Sequence, residues 1–98
     1  MIEYITEFIG TFIFLSIILN VVKNKSNMKE YAPLAIGLGL TGVIQWGGYI
    51  SGGNFNPAVS LMFYLEEKLS KNDFICYVIA QLLGGFAAKY FYDAVNNK

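Results

Sequence analysis

Histidine and arginine are both missing from this chain, and cysteine occurs once, at Cys76. Without histidine the commonest general base and metal ligand is gone. A lone thiol rules out a disulfide within the chain and leaves no Cys/His set for a metal. No nucleophile–base pair and no cofactor loop stands in the sequence, so neither an enzyme nor a cofactor is expected. Charge is scarce as well. Charged residues make up 14% of the 98, with seven of each sign. A nucleic-acid partner would need a basic face, which this balance does not provide. The start, Met1-Ile2-Glu3-Tyr4, lacks the basic n-region of a cleavable signal. No cleavage-like site of small residues follows the first apolar segment, so that segment is expected to be retained.

Long apolar runs fill the space that charge leaves empty, and 55% of the residues are hydrophobic. Ile5 to Val22 is a near-continuous run, interrupted by Glu7, Gly10, Thr11, Ser16 and Asn20. A polar loop with three lysines, Lys23, Lys25 and Lys29, follows. Ala32 to about Ile50 is a second run, rich in glycine. Asn56 to Leu65 is apolar but too short to cross a bilayer. Glu66 to Asp73 is a charged loop, and Phe74 to Tyr92 is a third run. At 1.5 Å per residue, about 18–20 residues cross the hydrocarbon core. The pattern predicts an all-α membrane protein with three transmembrane helices (about 5–22, 32–50 and 74–92) and one re-entrant half-helix (about 57–65). A small soluble bundle is disfavoured because the apolar segments lack a polar stripe. The mean hydropathy of +0.47 does not decide the matter; the segment pattern does.

Between the second run and the short one lies Ser51-Gly52-Gly53-Asn54-Phe55-Asn56-Pro57-Ala58-Val59-Ser60. Asn56 is a good N-cap and Pro57 suits the first helical position. The glycine pair before them favours backbone that is not helical. Such backbone survives at membrane depth only when it is buried in protein or lines water. Its carbonyls then become acceptors along a path. The start of the half-helix adds N–H groups and a positive dipole end. That combination passes neutral hydrogen-bonding solutes and disfavours cations. Taken alone, Asn-Pro would read as an ordinary capped helix start; the flanking spans and the shortness of the helix favour the pore.

These residues resemble the aquaporin (major intrinsic protein) family, in the first half of its duplicated fold. Thr6-Glu7-Phe8-Ile9-Gly10-Thr11 is similar to the family's first span, and Leu34-Ala35-Ile36-Gly37-Leu38 to the start of its second. Ile50 through Ser60 resembles the first pore loop, and Ala80-Gln81-Leu82-Leu83-Gly84 the third span. The resemblance implies that Asn56, Pro57 and Ala58 form the pore element. Gly53, Asn54 and Phe55 would offer carbonyls to permeating molecules, and Ile36 would stand at a filter position. Glu7 and Gln81 would be buried polar supports of the loop. Two departures are visible: Asn54 stands where the family usually has histidine, and Ile36 where water-selective members place an aromatic.

Other polar and small residues have their own readings. Glu7 alone could be a functional carboxylate or could snorkel to the interface. Gly37, Gly39, Gly42, Gly84, Gly85, Ala87 and Ala88 read as helix-packing positions. Trp46, Tyr77, Tyr90 and Tyr92 read as interfacial anchors. Cys76 reads as packing.

The expected partners are the lipid bilayer, water or a small neutral solute, and a second half. The pore element occurs once here, whereas the family fold uses two in inverted repeats. An inverted copy of the chain, a separate second half, or the remainder of a longer chain would complete it. A non-conducting subunit that pairs with a related chain is the alternative. Loop lysines would place Lys23–Lys29 in the cytoplasm; the resemblance instead implies a cytoplasmic N-terminus.

Overall fold

The computed structural model describes residues 1–23 and 29–96. Among them are four α-helices: α1 (Ile2–Val22), α2 (Ala32–Ser51), α3 (Pro57–Leu65) and α4 (Lys71–Asn96). A single 3₁₀ turn, Lys29–Tyr31, leads into α2. Helices α1, α2 and α4 are each long and apolar enough to cross a membrane.

The helix ends follow local chemistry. Pro33 lies in the first turn of α2, where a missing N–H costs nothing. Gly52 ends α2 in the left-handed conformation, φ +92°, and its N–H donates to the Gly48 carbonyl. Asn56 caps α3, its side-chain oxygen accepting from the Ala58 N–H at 2.8 Å. Ser70 caps α4, its Oγ accepting from the Asp73 N–H at 3.0 Å. The charged loop is therefore shorter than the sequence reading has it. Helix α4 starts at Lys71 rather than Phe74, because Ser70 and Asp73 form a cap, and it continues to Asn96.

Helix α1 lies between α2 and α4, and α3 packs on α4. The Tyr4 hydroxyl donates to Asp73 at one end, and Lys23 lies 3.4 Å from the Asn96 side chain at the other. Helices α1 and α4 therefore run parallel. Their crossing is close because Gly84 lacks a side chain; a Cβ there would stand 2.7 Å from the Phe8 carbonyl oxygen. Gly39 similarly faces Ile17, and Ala88 is fully buried. Gly37 and Gly42 do not serve such packing within this chain, since no described atom comes within 4 Å of a Cβ built there. Stacked rings of Tyr64 and Phe74, 4.9 Å apart, join α3 to α4.

The distribution of polarity is inverted relative to a water-soluble bundle. Thr6, Glu7, Thr11, Ser51, Asn54, Ser60 and Gln81 are buried, whereas Leu34, Leu38, Ile79, Leu82 and Phe86 are exposed. Apolar side chains face outward because the solvent is lipid, as befits an integral membrane chain. Trp46 and Tyr90 are exposed, as interfacial anchors would be. Tyr77 departs from that reading, for it is buried and bonded to backbone. Lys25 and the side chain of Lys29 lie outside the described residues.

Candidate pore loop

Four residues, Gly52 to Phe55, connect α2 to the cap of α3. Three of them have left-handed backbone: Gly52, Gly53 (φ +67°) and Phe55 (φ +52°). Glycine adopts this freely. For Phe55 it costs about 1–2 kcal/mol, so the surroundings must hold the residue there.

The holding group is Glu7, fully buried on α1. One carboxylate oxygen accepts from the Phe55 N–H at 2.7 Å and from Gln81 Nε2 at 2.8 Å. The other accepts from the Asn54 N–H at 3.0 Å and from Ser51 Oγ at 2.6 Å. A carboxylate is acceptor-only, with room for this many donors. Glu7 does not snorkel. Ser51 Oγ also accepts from the Gly53 N–H at 3.2 Å. Three consecutive loop N–H groups are thus tied inward by two side chains. Among the described residues, none of the carbonyls of Gly52 to Phe55 accepts a hydrogen bond. The ribbon is pinned along its donor edge and unbonded along its acceptor edge; Gly52 is exposed, and Gly53, Asn54 and Phe55 are buried.

The Phe55 ring supplies the second hold. It is almost fully buried, against Gly10 of α1 and Gly47 of α2. A Cβ at Gly10 would lie 2.1 Å from the ring, and one at Gly47 3.0 Å. Both glycines are required by this ring.

Asn54 turns its side chain inward. Its Nδ2 donates to Ser60 Oγ on α3 at 2.9 Å, and Gln81 Nε2 reaches the same oxygen at 2.8 Å. Gln81 thereby joins Glu7 to Ser60, linking α1, α3 and α4 beneath the loop. Asn56, Pro57 and Ala58 lie at the exposed start of α3. The Asn56 side-chain oxygen is used in the cap, and its Nδ2 has no partner among the described residues. Ile36 is not brought to the loop. It is half-buried in the second turn of α2, about 22 Å along the helix from Ser51.

Two residues of this site escape the sequence reading. Ser60 accepts two side-chain donors while fully buried. Tyr77 donates to the Ser51 carbonyl at 2.7 Å. Tyr77 lies one helical turn before Gln81 on α4, so the spacing of four was the available signal.

A family model described as Major intrinsic protein matches residues 1–98. The chain is 37% identical to a glycerol uptake facilitator protein-like 6 of Lactiplantibacillus plantarum over 87 residues, 88% of this chain and 40% of that protein. It is 36% identical over 107 residues to an aquaporin-10 of Milnesium tardigradum, covering 97% of this chain and 26% of that one. A probable aquaporin, AqpM, of Archaeoglobus fulgidus is 34% identical over 93 residues, 91% of this chain and 38% of its own. The chain thus spans two-fifths or less of these relatives. With the match running from its first residue to its last, the chain belongs to the major intrinsic protein family.

Proposed function

We propose that this chain is one half of a passive channel for water and small neutral solutes such as glycerol. The observation that carries the reading is the two-edged loop. Its N–H groups are spent on Glu7 and Ser51, so its carbonyls are left as a row of acceptors. Beside them stand the Asn56 amide, unpartnered among the described residues, and the positive end of α3. A neutral solute trades its hydration for such a ladder, while a cation meets the positive end of the half-helix. In this reading Gly53, Asn54 and Phe55 line the path, Asn56-Pro57-Ala58 marks its middle, and Ile36 borders the filter.

A second half is part of the reading. Asn56, Pro57, Ala58, Leu61, Met62 and Leu65 are exposed along α3. Unpaired backbone facing lipid at that depth costs several kcal/mol per group. An inverted copy of this chain, or a distinct half carrying its own pore element, covers that face. With an aliphatic Ile36 and no fixed cation of its own, the pore discriminates weakly between water and small polyols.

Osmotic shrinkage of vesicles reconstituted with the chain tests this. Excess permeability is expected from the chain alone if it pairs with itself. Asn56→Asp places a negative charge at the midplane and is expected to lower water flux about tenfold or more. Unchanged flux in that variant removes the pore role of Asn56. No flux from the wild-type chain alone removes the self-paired channel and leaves the distinct second half.

A further inference from the structure

We propose that Tyr77 is a positioning residue for the pore loop, setting the backbone turn at which α2 hands over to it. The proposal deepens the channel reading above and rests on it only for its transport readout. Tyr77 is 4% exposed and lies one turn before Gln81, on the same face of α4. Gln81 reaches the loop through Glu7 and Ser60. Tyr77 reaches it through backbone: its hydroxyl donates to the Ser51 carbonyl at 2.7 Å.

Ser51 is where the loop's bonds converge. Its carbonyl is among the last of α2, which have no partner in the helix. Its Oγ donates to Glu7 and accepts from the Gly53 N–H. Fixing the Ser51 peptide therefore fixes one arm of the Glu7 carboxylate and the first pinned N–H of the loop together. Gly52 follows immediately at φ +92°, a residue with no side chain to limit its rotation. The Tyr77 bond to the Ser51 carbonyl, with the Gly52 N–H bond to Gly48, holds that peptide from both sides just before the joint.

Tyr77 is itself held. The Tyr4 ring meets it edge-on, with centroids 5.9 Å apart and planes at 78°. The Tyr4 hydroxyl donates to Asp73 at 2.5 Å, one turn before Tyr77 on α4. The series Asp73, Tyr4, Tyr77, Ser51 runs from the start of α4 to the loop.

Tyr77→Phe keeps the ring and removes only the donor. Amide hydrogen exchange of Gly53 and Asn54 in the reconstituted chain is expected to quicken about tenfold, the equivalent of one buried hydrogen bond. The water-to-glycerol permeability ratio is expected to shift about threefold, because the acceptor carbonyls move with the turn. Tyr90→Phe, an exposed tyrosine on the same helix, leaves both unchanged. A residue that only added stability would lower both fluxes in proportion to the folded fraction and leave their ratio alone. Unaltered exchange at Gly53 and Asn54 in a folded Tyr77→Phe chain overturns the proposal, as does a proportional loss of both fluxes with loop protection retained. If the wild-type chain alone carries no flux, the self-paired channel fails by itself, and the exchange comparison still decides the role of Tyr77. Should the Phe variant not fold, 3-fluorotyrosine introduced at Tyr77 keeps the ring and strengthens the donor. Greater protection of Gly53 then supports the proposal, and equal protection overturns it.

Discussion

Helix α3 is entered and left through turns that both force a side-chain-bearing residue into left-handed backbone. Phe55 does so at φ +52° before it, and Glu67 at φ +62° after it. The two are held in opposite ways. The turn after α3 closes on its own backbone: the Glu67 N–H donates to the Tyr64 carbonyl and the Lys68 N–H to that of Phe63. This is the paired bonding that ends many helices, usually with glycine in the strained place. The turn before α3 satisfies its N–H groups with side chains from α1 and α2, and its strained residue is wedged by a ring. A turn bonded to itself has no backbone edge to spare. A turn pinned from one side keeps the other edge free, which is what a solute path needs.

Breaking the pin should have the largest effect. Glu7→Leu leaves the N–H groups of Asn54 and Phe55 and one Gln81 donor without an acceptor, and leaves the Ser51 hydroxyl only the Gly47 carbonyl at 3.4 Å. Each orphaned buried group costs about 1–3 kcal/mol, so this variant is expected not to fold. Glu7→Gln keeps the shape but turns one acceptor atom into a donor that faces two others. About 2–4 kcal/mol of stability should be lost on the same scale. Unfolding by SDS titration of the reconstituted chain measures both. A wild-type midpoint in Glu7→Gln would mean that the loop is held by packing, and the contrast between the turns would collapse.

Breaking the wedge should come next. Gly10→Ala drives a methyl into the Phe55 ring. The cost is expected at about 1–3 kcal/mol, the usual range for overpacking. Gly37→Ala is its control, because no described atom lies within 4 Å of a Cβ there. That change should be neutral or stabilising by up to about 1 kcal/mol from helix propensity. Equal costs at Gly10 and Gly37 would show that the ring yields and that Phe55 is not wedged.

Much of this arrangement is legible in the residues, and what is not has a physical reason. The helices follow from apolar runs, and the α3 cap from Asn56-Pro57, because both signals are local. The joining of Glu7 and Gln81 to the loop is implied by family resemblance rather than by any property of the two residues. They are 74 positions apart, and nothing local reports that both turn inward. Ser60 and Tyr77 are missed for a similar reason. A serine in a short helix and a tyrosine near a span end look ordinary until a neighbouring helix supplies their partners. The glycines mislead in the other direction. Gly10 and Gly37 are alike in sequence, yet one faces a ring and the other faces nothing described, since composition does not say which face of a helix is covered. The start of α4 was within reach, because Ser70 and Asp73 have the spacing of a capping box.

The smallest effect is expected at the second turn, and it has the opposite sign. Glu67 is exposed, so its side chain gains little from packing that would repay its left-handed backbone. Glu67→Gly removes the steric cost of about 1–2 kcal/mol but adds flexibility to the unfolded chain. A net stabilisation of about 0.5–1 kcal/mol is expected in the same SDS titration. Glu67→Ala, which also deletes the charge but keeps a Cβ, should bring no such gain, and this separates backbone strain from electrostatics. Neither change should alter the hydrogen exchange of Gly53 and Asn54, because the two turns share no bond. Stabilisation by alanine as well as glycine would assign the effect to the lost charge. A change in loop exchange would couple the two ends of α3 and show that the self-closed turn also carries part of the load of the pinned one.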